Sequence, residues 1–227
     1  MSVFKQVIYD GSLQRQAFPG DVIGGSEIIL PLTTVGAGTL TAALLLGGIV
    51  NRTGPTGAYT DTTDSAQNII NALVAGYNYT TTANTGISSG VAAQVGTSVR
   101  LRYLNTVAFA MTLAAGSGVT LSGTTGVNAS SVKDYLIQVT NGTPLSVQTA
   151  TTTNSSAVIT GMTQAATAQV SVGQAVSGTG IAANSVITSI QPGVGVTLNN
   201  NATATGTLVS LTFSPTVTIT GLGQGLL

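Results

Sequence analysis

The chain of 227 residues contains no histidine, no cysteine and no tryptophan, and it carries only six Lys or Arg and six Asp or Glu. Each absence excludes a class of chemistry. Without His and Cys there is no Ser-His-Asp or Cys-His catalysis, no His/Cys zinc or haem site and no disulfide framework. Charged residues make up 5% of the chain, against about 25% in an average soluble domain. Zero net charge and a pI near 6.0 remove the basic footprint of a nucleic-acid binder and of a polybasic membrane-surface protein. Glu27 is the sole glutamate, and no second carboxylate falls in an obvious partner strand for general acid–base work. The expectation is a protein that is not an enzyme, with no catalytic residue, cofactor or metal.

Long apolar runs are also missing. Met1 to Asp10 has none of the length a secretory signal needs. The uncharged stretch Ile28 to Val50 is long enough to cross a bilayer, but Pro31, four threonines and glycines 36, 38, 47 and 48 interrupt it. It reads as buried strands joined by Gly-containing turns, so no membrane is expected.

What the chain has in abundance is threonine, at 38 residues, and glycine, at 29. With Ser, Asn and Gln they supply a polar surface without charge, and the β-branched residues favour strands. All charges lie between Lys5 and Asp134, and residues 135–227 have none. That half cannot be a helical bundle with a charged solvent face. Short alternating runs such as Val186–Ile190, Val194–Leu198, Leu208–Phe213 and Val217–Thr220, punctuated by Gly, Pro and Asn, suggest a sandwich or small barrel.

The fold class is therefore all-β. The expected organisation is an extended N-terminal arm (1–26) for attachment, a β-sandwich or jelly-roll-like domain (27–141), a linker (142–156) and an uncharged C-terminal β-domain (157–227). In the first domain the best strands are Ser98–Leu104, Ala108–Leu113, Gly118–Ser122 and Asp134–Thr140. One helix is expected over about 64–75, with Asp64 and Gln67 as a capping box, Ile69, Ile70, Leu73 and Val74 as its apolar face, and Gly76 ending it. Short echoes such as Gly118–Leu121 and Gly195–Leu198 are strand-and-turn grammar and not a solenoid repeat.

Few residues suggest a site. Asp61 and Asp64 lack the Gly and distant Glu of a calcium loop, so Asp64 is read as a helix cap and Asp61 as shaping the preceding turn. The six sequons, at Asn51, Asn78, Asn128, Asn141, Asn154 and Asn201, follow from composition. Arg100 and Arg102 alternate with Leu101 and Tyr103, which puts both guanidinium groups on one sheet face. They pair either with a partner protein or, slightly favoured, with Asp134 of a neighbouring strand. With Arg15 and Phe18 of the arm they are the candidate interface residues.

The segment from Arg52-Thr53-Gly54-Pro55 through Asp61–Ala66, Val99–Thr106, Met111–Gly116 and Tyr135–Asn141 resembles a recurrent module of tailed-bacteriophage virion proteins. The arm, with Gly11–Gln14 and Pro19-Gly20-Asp21, is similar to N-terminal segments of phage head and tail appendages. Val172–Ile181 and Ala202–Gly206 are similar to small β-modules of phage structural and bacterial surface proteins. The resemblance touches most of the chain and implies a virion structural protein. The first expectation is a capsid decoration (cement) protein, a homotrimer on the major capsid protein, made in the host cytoplasm and placed on the virion surface. A tail-fibre or receptor-binding appendage is the alternative. A carbohydrate-binding module is the third reading, with Tyr77 and Tyr79, spaced to share a strand face, as its only stacking platform.

Overall fold

The computed structural model describes residues 7–10, 13–16, 29–77 and 94–227. Among them strands account for 49% and helix for 9%, so the protein is all-β. The arm contains a hairpin, β1 (Val7–Asp10) against β2 (Leu13–Gln16), in antiparallel register with Asp10 opposite Leu13. Phe18 and the rest of the arm lie outside the described residues.

The chain divides into two compact units. In the first, it winds back and forth between two sheets. One sheet receives β3 (Ile29–Leu32), β5 (Ile49–Arg52) and β7 (Ser98–Asn105); the other receives β4 (Gly38–Leu40), β6 (Tyr59–Thr63) and β8 (Met111–Ala114). Because each pass returns to the same sheet in the same direction, all four pairings are parallel: β3 with β5, β5 with β7, β4 with β6 and β6 with β8. Jelly rolls are built from antiparallel strands, so this winding replaces the expected arrangement in the first unit. Parallel strands need a crossover, and here strands of the opposite sheet and two helices supply it: α1 (Ala42–Leu45) before β5 and α2 (Ala66–Tyr77) before β7. β9 (Val119–Ser122) and β10 (Ser131–Asn141) follow, with β10 antiparallel to β7.

Period-two alternation aims Val50 and Arg52, Tyr59 and Asp61, Leu101 and Tyr103, and Met111 and Leu113 inward, all buried. Ile69, Ile70 and Leu73 of α2 are buried as well, as their 3.6-residue spacing requires. The helix starts two residues later than expected, and its capping differs. Ser65 Oγ accepts the N–H of Asn68, and Gln67 Nε2 donates to Asn71 Oδ1. The cluster Ala42–Leu46, expected as strand, forms α1. No helix among the described residues is long and apolar enough to cross a membrane.

The second unit runs from Val139 to Val217, with residues 94–97 attached. Its strands are β11 (Ser146–Thr152), β12 (Val158–Ile159), β13 (Ala175–Gly178), β14 (Ser185–Gln191), β15 (Gly195–Leu198) and β16 (Gly206–Ser214), with one helical turn, α3 (Gln164–Thr167). The sheet order is β11-β16-β13-β14-β15-β12. A bridge between Thr151 and Thr160 joins the first strand to the last and closes the sheet into a barrel. Ala150, Ile159, Met162, Val176, Ile187, Leu198, Leu211 and Phe213 fill it.

Two boundaries differ from expectation. The segment 142–156, taken as a linker, holds β11, a full barrel strand whose Thr-rich sequence alternates like the others. The last strand, β17 (Thr216–Leu226), leaves the second unit and enters the first sheet, whose order is β3-β5-β7-β10-β17-β9. The barrel is thus inserted between two central strands of the first unit. Nothing in the composition of β17 separates it from the barrel strands, because the choice of sheet is made by long-range pairing.

Candidate functional site

The most concentrated polar chemistry in the first unit is wholly enclosed. Arg52 at the end of β5 and Asp61 in the middle of β6 face each other across the two sheets, and both side chains are fully buried. Arg52 Nε donates to Asp61 Oδ2 at 3.0 Å and Nη2 to Oδ1 at 3.2 Å. Nη1 donates to the carbonyls of Leu32 at 3.1 Å and Thr34 at 2.6 Å, and Nη2 donates to that of Gly36. A guanidinium has five N–H donors, and all are used. Asp61 Oδ1 also accepts from Gly38 N at 2.8 Å, and Oδ2 from the Tyr103 hydroxyl at 2.6 Å. The guanidinium lies 4.8 Å from the ring centre of Tyr59, whose hydroxyl donates to Asn105 Oδ1 at 2.8 Å. Asn105 in turn donates to the carbonyls of Phe109 and Asn128.

The sequence allows this because glycine lets the backbone come close. A Cβ on Gly38 would sit 2.8 Å from Asp61 Oδ1, and one on Gly54 would sit 2.1 Å from the Thr33 carbonyl. The loop after β3 therefore wraps the guanidinium with its carbonyls. Chemically the arrangement is closed. Every donor of Arg52 is engaged and the carboxylate accepts four hydrogen bonds, so neither group offers a free lone pair or proton to a substrate.

Burial pushes the Tyr103 and Tyr135 hydroxyls well above the usual tyrosine range, and the Asp61 carboxylate adds to it. Tyr59 is also raised, first by burial. A folded-state value above the unfolded one gives stability that is complete below about pH 10 and is lost as the pH rises further. We expect Tyr59, Tyr103 and Tyr135 to ionise only as the first unit unfolds, so tyrosinate absorbance and far-UV circular dichroism should change together above about pH 10. Free titration of all six tyrosines with the dichroism intact would contradict this.

Asp64 ties the two helices together. Its Oδ2 accepts the Ala42 N–H of α1 at 3.0 Å, and its Oδ1 accepts from Ser65 N and from the Asn68 side chain. Burial raises its affinity for a proton, but these hydrogen bonds outweigh burial and hold its pKa below the ordinary aspartate value. A depressed value means stability present at neutral pH and lost as the pH falls through it. Asp64→Ala should cost about 1–2 kcal/mol at neutral pH, as lost caps do, with the difference from wild type shrinking in acid as the pH falls past the ordinary aspartate value of about 3.9. Urea titrations at the two pH values measure both terms.

Of the candidate interface residues, Arg102 forms an ion pair with Asp134, Nε to Oδ1 at 2.9 Å and Nη2 to Oδ2 at 3.2 Å, as their opposite register in β7 and β10 dictates. Arg100 is exposed on the same face, opposite Leu136. Arg15 stands opposite Ile8 in the hairpin, and its side chain, like Phe18, lies outside the described residues. Tyr77 ends α2 and so is not on a strand face, and Tyr79 lies outside the described residues. Among the described residues no group of three or more acidic side chains could hold a metal ion. Sequence reasoning placed Asp61 in a turn and passed over its partner; the available signal was that Arg52 and Asp61 sit at inward positions of two alternating strands. No family model matches the chain, no curated protein matches its sequence and no solved structure matches its fold.

Proposed function

We propose that the chain is a structural, non-enzymatic protein of a tailed-phage virion that decorates the outside of the capsid, binds the major capsid protein and stabilises the head as a homotrimer. The reading began with the sequence resemblance. The observation that carries it further is the surface of the barrel. Residues 139–217 contain no charged side chain, yet Leu208, Val147 and Val172 are 79%, 57% and 56% exposed, with Val158 and Val194 also exposed. Leu208 stands at φ 54°, a left-handed conformation that bulky side chains avoid. Neither the core nor a charged solvent layer accounts for these side chains, whereas contact with a neutral protein surface does.

The deciding measurement is the copy number per purified virion. A number comparable with that of the major capsid protein supports decoration; a few copies confined to the tail would overturn it in favour of the fibre alternative. Contacts made by such a surface rest on apolar burial, which ionic screening scarcely affects. The mass of the assembled protein by light scattering should therefore be the same at low salt and at about 1 M salt, where the Debye length is near 3 Å. Leu208→Asp places a charge on that surface and should reduce the assembly to monomers. A Leu208→Asp protein with unchanged mass and unchanged binding to heads would show that this face makes no contact.

A further inference from the structure

Lys133 is the one basic side chain of β10, and its inward position leaves it only 3% exposed. It stands opposite Tyr103 in register and has no hydrogen bond or ion pair to any described residue. It lines a pocket of about 420 Å³ within the first unit, together with Met111, Thr124, Val127, Asn128 and Gln224. None of the residues lining this pocket is acidic. The acidic groups around Lys133 are committed elsewhere. Asp134, its neighbour in β10, points to the opposite face and holds Arg102, and the four hydrogen bonds accepted by Asp61 come from Arg52, Gly38 and Tyr103.

A buried ammonium costs free energy unless an anion or several acceptors face it. Among the described residues no anion faces Lys133, and the pocket it lines has room for one much larger than chloride, since a water molecule occupies about 30 Å³. The walls choose among anions. Ala110 and Leu222 give an apolar side over the buried Met111 and Val127, while Thr124, Asn128 and Gln224 give neutral donors and acceptors. A phosphate has no second cation here to share its charge, whereas a single carboxylate is neutralised by a single ammonium. We propose that this pocket is a carboxylate-binding site: the acid group meets Lys133 Nζ, and an apolar body of a few carbons lies along Ala110 and Leu222, next to Met111. The carboxylate comes either from a small organic acid or from a Glu side chain of another protein.

The chain has two lysines and three methionines, so selective labelling isolates the site. In 13C-lysine protein, titration with acetate, butyrate and hexanoate should shift the Lys133 Cε signal saturably and leave Lys5 in place. Affinity should rise roughly fourfold per methylene that reaches the apolar wall. The methyl signal of Met111 should move with it, that of Met162 should not, and Lys133→Met or Lys133→Gln should abolish the Met111 response. A blocked peptide with one central Glu separates the two sources. If it produces the same shifts, the site takes a protein side chain; if only the free acids do, it takes a small molecule. No saturable shift, or the same shift with chloride at matched ionic strength, overturns the proposal. So does a Met111 response that persists in both variants.

Discussion

Arg52→Met should cost the first unit about 3–5 kcal/mol, the loss expected when one partner of a buried ion pair is removed. The substitution leaves Asp61 charged and buried with only Gly38 N and the Tyr103 hydroxyl as donors. It also strips the Leu32, Thr34 and Gly36 carbonyls of their hydrogen bonds from the guanidinium. Unsatisfied buried acceptors cost about 1–3 kcal/mol each when nothing replaces the donor, so the upper part of the range is the better expectation. A domain is stable by about 5–15 kcal/mol in total, which makes this a large fraction. The double variant Arg52→Met, Asp61→Leu should recover part of the loss, because no lone charge remains, but not all of it, because the loop carbonyls stay unpaired. No tyrosine falls in residues 139–217, and Tyr59, Tyr103 and Tyr135 are buried in the first unit, so tyrosine emission during urea unfolding reports that unit and not the barrel. A loss below about 1 kcal/mol for the single variant would mean that water or loop movement replaces the guanidinium, and that the pair does not hold the two sheets together.

The all-β class was legible because strand grammar is local. Alternation at Ser98–Leu104 and Asp134–Thr140 and the Gly and Pro punctuation of residues 185–226 each act over a few residues, and the strands appear close to where those signals place them. Pairing was not legible. Whether β5 lies parallel to β7 or antiparallel to another strand depends on where the chain has been in between, and Ile49-Val50-Asn51-Arg52 reads the same in either case. The site suffered for the same reason. Arg102 and Asp134 could be matched because both lie on long, regular strands that pair with each other. Arg52 and Asp61 meet across two sheets that do not share a hydrogen bond ladder, and only the winding brings them together. Likewise, Lys133 looks like any charged strand residue until its position beside inward-facing Ser131 and Tyr135 shows which way it points.

A chain ending at Ser214 should fail to fold its first unit while keeping its second. The cut removes β17, which lies between β10 and β9 in the first sheet, so β9 loses its only neighbour in that sheet and β10 loses one of two. Ile219, essentially fully buried, goes with it. That side chain contributes about 1.5–3 kcal/mol through burial, and the lost ladder hydrogen bonds add about 1 kcal/mol apiece. Together these are as large as the whole stability of a domain, about 5–15 kcal/mol. The barrel is affected far less. Every residue of its apolar core, from Ala150 to Phe213, precedes the cut, as does the Thr151–Thr160 bridge that closes it. Two methionines distinguish the outcomes: Met111 is buried in the first unit and Met162 in the second. In the truncated chain the Met111 methyl signal should move to its random-coil position, with tyrosine emission matching the urea-unfolded protein, while Met162 keeps its native shift. If residues 27–141 were a self-sufficient domain followed by a linker, the same cut would damage the barrel and spare the first unit. A native Met111 signal beside a collapsed Met162 would therefore reverse the assignment of β17, and with it the description of the barrel as an insertion.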